Sequence, residues 1–147
     1  KSGEKFQSVI GEAILGYKFS PTTILELGFE RDFSNSFYAN YYVMHRGNLK
    51  FQQQIMSRVN ITGEFAYARL SYSAFSPAGI TVNQNERSDN ALQGSVNLEF
   101  SIARILMFTA SYKFESILTD FELTNAGFAD YGGYIRHSVF GGLRLLY

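Results

Sequence analysis

The chain has 147 residues, enough for one domain, and its 13 basic and 13 acidic side chains cancel, so a nucleic-acid partner has no electrostatic support. Cysteine is absent, which excludes disulfides and thiolate metal sites. No apolar run approaches the roughly 18–20 residues of a membrane helix, and the mean hydropathy of −0.09 is a value that alternating barrel strands also average out to.

Alternation over 6–19 predicts the first strand, with Val9, Ala13, Leu15, Tyr17 and Phe19 on one face and Ile10, Glu12, Ile14 and Lys18 on the other. Ser20-Pro21-Thr22-Thr23 reads as a tight turn, because Pro21 fixes φ and lacks a donor. The second strand, 23–32, sets Leu25, Leu27 and Phe29 against Glu26, Gly28, Glu30 and Asp32, and residues 33–36 turn the chain. The third, 38–55, sets Val43, His45, Gly47, Leu49, Phe51, Gln53 and Ile55 against Met44, Arg46, Asn48, Lys50, Gln52 and Gln54. Ser57-Arg58 leads into the fourth, 59–72, where Val59, Ile61, Phe65 and Tyr67 oppose Asn60, Thr62, Glu64, Ala66 and Ala68.

A long polar loop, 73–88, precedes the fifth strand, 89–100, in which Leu92, Val96, Leu98 and Phe100 oppose Gln93, Ser95, Asn97 and Glu99. A short turn at 101–104 precedes the sixth, 105–116, with Leu106, Phe108, Ala110, Tyr112 and Phe114 against Thr109, Ser111, Lys113 and Glu115. A second long loop, 117–133, leads to a last strand, 134–147, whose apolar face ends Val139, Gly141, Leu143, Leu145, Tyr147 and whose other face carries Arg136 and Arg144. No helical period appears, so the chain is all-β. Short turns and long loops alternate, as periplasmic turns and outside loops do in outer-membrane barrels; a sandwich has no reason to sort them by end.

Charge is sorted by face. The polar face, which a barrel would turn to its lumen, carries Glu12, Lys18, Glu26, Glu30, Asp32, Arg46, Lys50, Glu64, Glu99, Lys113, Glu115, Arg136 and Arg144. The apolar face carries only Arg31 and Arg69, near the long-loop ends where they can snorkel, with His45 and Gln53 as its awkward polar members. A soluble sheet, apolar inside and solvated outside, sorts charges equally well. Three features favour an antiparallel transmembrane β-barrel. The apolar segments run about ten residues, suited to a tilted spanning strand. Aromatics gather as two girdles facing lipid: Tyr17, Phe19, Phe100 and Tyr147 at the short-turn end, and Phe29, Tyr41, Tyr67 and Phe114 at the other. The chain also ends on an aromatic residue.

Strand count decides whether such a barrel closes alone. With 38–55 as one strand there are seven, whereas a complete single-chain bacterial barrel has an even number with both ends inside. Residues 1–147 are then the C-terminal portion of a larger barrel, or a chain completed by another. If Gly47-Asn48 is instead a two-residue hairpin turn, a closed eight-stranded barrel results, with halves 36–44 and 49–56 that are short for spanning. Strand length favours seven.

Pro21-Thr22-Thr23 opens an alternating strand that ends in Arg31, and Arg87-Ser88-Asp89 opens the fifth strand. Ser111-Tyr112-Lys113-Phe114 lies in the sixth, and Tyr134-Ile135-Arg136 precedes the last. In these motifs the chain resembles the C-terminal part of the β-barrel porin 2 family of Gram-negative bacteria. Its closing strand resembles those of outer-membrane barrels, whose terminal aromatic the assembly machinery reads. The resemblance implies an outer-membrane location and a conduit for hydrophilic material, and several members are associated with exopolysaccharide production and export. Family members are commonly larger, and their front half has no counterpart here. The partners expected are outer-membrane lipid and the remainder of the barrel or another envelope chain.

No catalytic constellation stands out; no enzyme, cofactor or metal site is expected. Ser111 and Ser138 point inward without a neighbouring His, and His137 reads as an interfacial side chain. The run Glu26, Glu30, Asp32 reads as a solvated lumen wall, with Lys18 across the turn to neutralise Glu26. Mixed charges give no strong ion selectivity; with the amides of Gln52, Asn60, Gln93 and Asn97 they suit a hydrated polymer or small polar solutes. The alternatives are a non-conducting structural barrel anchoring a cell-envelope complex, and a small closed barrel binding partners through extracellular loops at 73–88 and 117–133.

Overall fold

The computed structural model describes residues 9–35, 41–72, 87–119 and 133–145. Its strands are β1 (Gly11–Ser20), β2 (Thr23–Asn35), β3 (Tyr41–Ile55), β4 (Val59–Tyr72), β5 (Ser88–Ala103), β6 (Leu106–Thr119) and β7 (Tyr134–Leu145). They form one seven-stranded antiparallel sheet in chain order, and the described residues include no helix. β1 pairs only with β2 and β7 only with β6, so the sheet is open and both outer edges are unpaired among the described residues.

β3 runs unbroken through Gly47 and Asn48, which excludes the eight-stranded division. A type I′ turn needs positive φ at both central residues, and neither residue has it. Gly47 instead occupies the rung between Phe29 and Tyr67, and Asn48 that between Gly28 and Ala66. The Asn48 side chain fills the space above Gly28, where a Cβ would collide with it.

The ladder extends further than alternation alone indicates. β2 continues past Asp32, because Phe33 lies opposite Val43 and Ser34 opposite Tyr42. β5 continues to Ala103 across a register shift after Ser101, which moves the turn from 101–104 to Arg104 and Ile105. β6 likewise continues past Ser116 to Thr119, paired with Asp89 and its neighbours. Pro21 and Thr22 connect β1 to β2, where the Ser20 hydroxyl accepts from the Thr22 amide at 3.2 Å. The three short turns therefore share one end, and residues 36–40, 73–87 and 120–133 join strands at the other.

Met56-Ser57-Arg58 joins β3 to β4, with the Arg58 amide donating to the Ile55 carbonyl at 3.2 Å. Met56 and Ser57 have φ of 49° and 54°, the left-handed region at both centres of the turn. A side chain there costs on the order of 1 kcal/mol per residue. Replacing the pair by Asn-Gly is therefore expected to stabilise the protein by about 1–2 kcal/mol. A higher urea midpoint at unchanged slope checks this.

The register puts two chemically distinct faces on the sheet. On one lie Leu15, Leu27, Leu49 and Phe65 in a single rung, with Leu25, Phe51 and Val96 nearby. No second layer covers it among the described residues: Leu27 is 51% exposed and Phe65 50%. The opposite face is the more covered. The most buried hydrophobic residues, Ala66 at 3%, Ala68 and Ala91, lie there beneath longer polar arms. Curling a sheet toward one face crowds the side chains on that face, and this sheet is crowded on its charged side.

Candidate functional site

The charged face is the candidate site. Strand parity and register bring onto this one face every residue assigned from sequence to the lumen, from Glu12 on β1 to Arg144 on β7. Across its middle the charges pair between strands. Lys50 Nζ lies 3.4 Å from Glu26, and Arg46 lies between Glu30 at 4.0 Å and Glu64 at 3.5 Å. Asn60 donates to Glu99 at 3.3 Å. Glu115, buried on this face, takes Lys113 at 2.6 Å and also the Arg136 guanidinium.

Arg46 reaches Glu64 along β4, where Ala66 and Ala68 are small and leave the guanidinium room to lie along the sheet. A basin of about 190 Å³ opens here, lined by Arg46, Glu64, Ala66, Gln93, Ser95 and Lys113. It offers donors and acceptors of both charge signs over an apolar floor. Partly exposed pairs of this kind contribute about 0–1 kcal/mol each, so they shape the surface more than they hold the sheet.

The expected neutralisation of Glu26 by Lys18 is not what forms. Lys50 sits directly opposite Glu26 in the ladder, whereas Lys18, on the edge strand β1, faces Ile24 of β2. Among the described residues Glu12, Lys18 and Arg144 make no ion pair, and all three lie on the edge strands β1 and β7. Asp32 accepts locally from the Phe33 amide at 2.8 Å.

The sequence reading did not single out a cluster at the long-loop end of this face. Arg87 forks onto Asp89, with Nε 3.0 and 3.1 Å from the two carboxylate oxygens and a terminal nitrogen at 2.7 Å. The same guanidinium lies over the Tyr72 ring at 4.9 Å from its centroid, a cation–π contact. The Tyr72 amide donates to the Arg87 carbonyl at 2.9 Å, so the cluster ties the end of β4 to the start of β5. Part of its signal was present: an Arg and an Asp two apart in extended chain share a face, and Arg87 directly precedes β5.

On the apolar face, Tyr17 and Phe19 meet edge-to-face at 4.6 Å near the short-turn end, and Phe100 lies opposite Val59 and Phe108. Phe29 and Tyr67 flank Gly47, while Phe114 stands between Gly94 and His137. Tyr147 lies outside the described residues, as do most of the loops at 73–88 and 117–133. Of the awkward polar members, Gln53 accepts from the Thr23 hydroxyl at 2.8 Å, and the His45 ring lies 6.4 Å from that of Phe29. The other histidine, His137, has its Nδ1 2.8 Å from the Tyr112 hydroxyl.

Ser111 and Ser138 lie on the face opposite both histidines, so neither has a histidine beside it. No metal-ligand cluster occurs among the described residues. No family model, curated protein or solved structure matches the chain. The fold and the two faces therefore carry the functional argument: an open antiparallel sheet, apolar on its uncovered side and charged on its crowded side.

Proposed function

We propose that the chain is a wall segment of an outer-membrane β-barrel whose polar face lines a hydrophilic conduit. One observation carries this reading, the inversion of ordinary burial. A soluble sheet covers its apolar face with a second layer. Here Leu27, Phe65, Val139 and Leu143 stand exposed on the uncovered face, while the charged face is the crowded one. Lipid in place of the second layer satisfies the first face, and water in a lumen the second.

Two further features support the reading. In lipid every backbone donor and acceptor needs a protein partner, so the unpaired edges of β1 and β7 call for the remainder of the barrel or another envelope chain. The sorting of connections by end matches periplasmic turns and outside loops. The nature of the cargo rests on the resemblance to the porin 2 family, which points to an exopolysaccharide. A basin with donors, acceptors and both charge signs suits the hydroxyls of a hydrated polymer. A second reading, a non-conducting wall that anchors an envelope complex, draws on the pairing of Glu26 with Lys50 and of Arg46 with two glutamates.

Single-channel recording separates the two. The protein extracted from its membrane with the barrel intact is expected to give discrete conductance steps in a planar bilayer, with a reversal potential near zero in a salt gradient because the lining is mixed. Insertion without conductance would transfer the assignment to the anchoring role. A protein that stays in the aqueous phase and never enters the bilayer would overturn both.

A further inference from the structure

We propose that Arg31, His45 and Arg69, adjacent across β2, β3 and β4 on the apolar face, form a docking row for the anionic phosphate of a lipid headgroup. The inference rests on the membrane reading above and adds a specific ligand to it. Arg31 lies opposite His45, and His45 opposite Arg69, so the three share one rung on the apolar face. Adjacent strands are about 4.8 Å apart, so the row spans roughly 10 Å, the width of a lipid headgroup contact. The next residue along the rung, Asn90, accepts from the Tyr67 hydroxyl at 2.7 Å, which continues the row as a polar patch.

Charge balance identifies the occupant. Every aspartate and glutamate among the described residues lies on the opposite face, so no carboxylate of the sheet stands beside these arginines. Neither Arg31 nor Arg69 forms an ion pair among the described residues, and both side chains are exposed. The neighbouring rungs are mostly apolar and aromatic: Phe29, Gly47 and Tyr67 on one side, Phe33, Val43 and Ser71 on the other. Two cations embedded in a lipid-facing surface need an anion, and the anion that shares that environment is the headgroup phosphate. The row lies toward the ends of β2, β3 and β4 where the long connections emerge, the level at which headgroups would lie.

Spin-labelled lipids test the proposal. The protein extracted from its membrane is exchanged into phosphatidylcholine nanodiscs doped with spin-labelled phosphatidylglycerol or spin-labelled phosphatidylcholine, and the motionally restricted fraction is measured. The two arginines together give a preference for phosphatidylglycerol on the order of thirtyfold, weakened by salt. Arg31→Gln with Arg69→Gln is expected to bring the preference close to one, while Arg144→Gln on the charged face leaves it unchanged. Equal association of both lipids with the inserted wild-type protein overturns the proposal and leaves the barrel reading intact. So does a preference that survives the double substitution. Full competition by inorganic phosphate would make the row a soluble-anion site instead. Failure to enter any nanodisc would remove the barrel reading, and this proposal with it.

Discussion

If the chain is the barrel wall proposed above, Leu49→Arg is expected to destabilise it in the membrane by about 2–4 kcal/mol and to reduce the folded fraction in bilayers accordingly. Leu49 lies in the centre of β3 with Leu27 and Phe65 on either side in the same rung, far from either end of the strand. An arginine there has no carboxylate across the rung and too long a path to snorkel out. The matched control is Gln52→Arg on the opposite face of the same strand, next to Ile24 and Thr62. There the new charge meets water, and a change within about 0.5 kcal/mol is expected. Heat-modifiable migration and urea unfolding in vesicles read both. Equal tolerance of the two substitutions would show that both faces meet water, and would return the chain to the soluble class.

Asp89→Ala is expected to cost about 2–3 kcal/mol of unfolding free energy. Asp89 is 2% exposed and takes three contacts from the Arg87 guanidinium. Removing the carboxylate deprives that cation, which lies over Tyr72, of its forked pairing with Asp89. Asp89→Asn keeps the volume and removes only the charge. A similar loss in both variants assigns the effect to the ion pair, whereas a loss in the alanine variant alone assigns it to packing. Urea midpoints at unchanged slope are the measurement.

Face assignment was the most legible property of this sequence, because side-chain direction in a strand depends only on counting by two. That is why Glu12, Glu64 and Arg144 could be grouped before any pairing was known, and why β4 could be bounded at Val59 and Tyr72. Properties that depend on a partner strand were harder to read. Nothing local announces that Lys50 rather than Lys18 stands opposite Glu26; the ladder between β2 and β3 decides it. Nor does Ser101 announce the register shift that carries β5 to Ala103. Gly47-Asn48 is a hairpin signal by composition, and its neighbours across the sheet override it. The Arg87–Asp89–Tyr72 cluster was half legible, since the spacing of the first two lies in sequence and the third arrives only through pairing of β4 with β5.

The strict neighbour-to-neighbour order of the strands bears on how a wall of the proposed kind is made and varied. Among the described residues every pairing between strands joins segments that follow one another along the chain, so the entropy of loop closure is met one connection at a time. A nascent sheet can therefore lengthen at its free edge by single hairpins, each docking on a template already formed. In the proposed barrel the same order makes circumference a modular quantity. Duplicating or deleting one hairpin changes the girth of the assembled wall without rerouting any other strand, so relatives of different bore are accessible by a single genetic step.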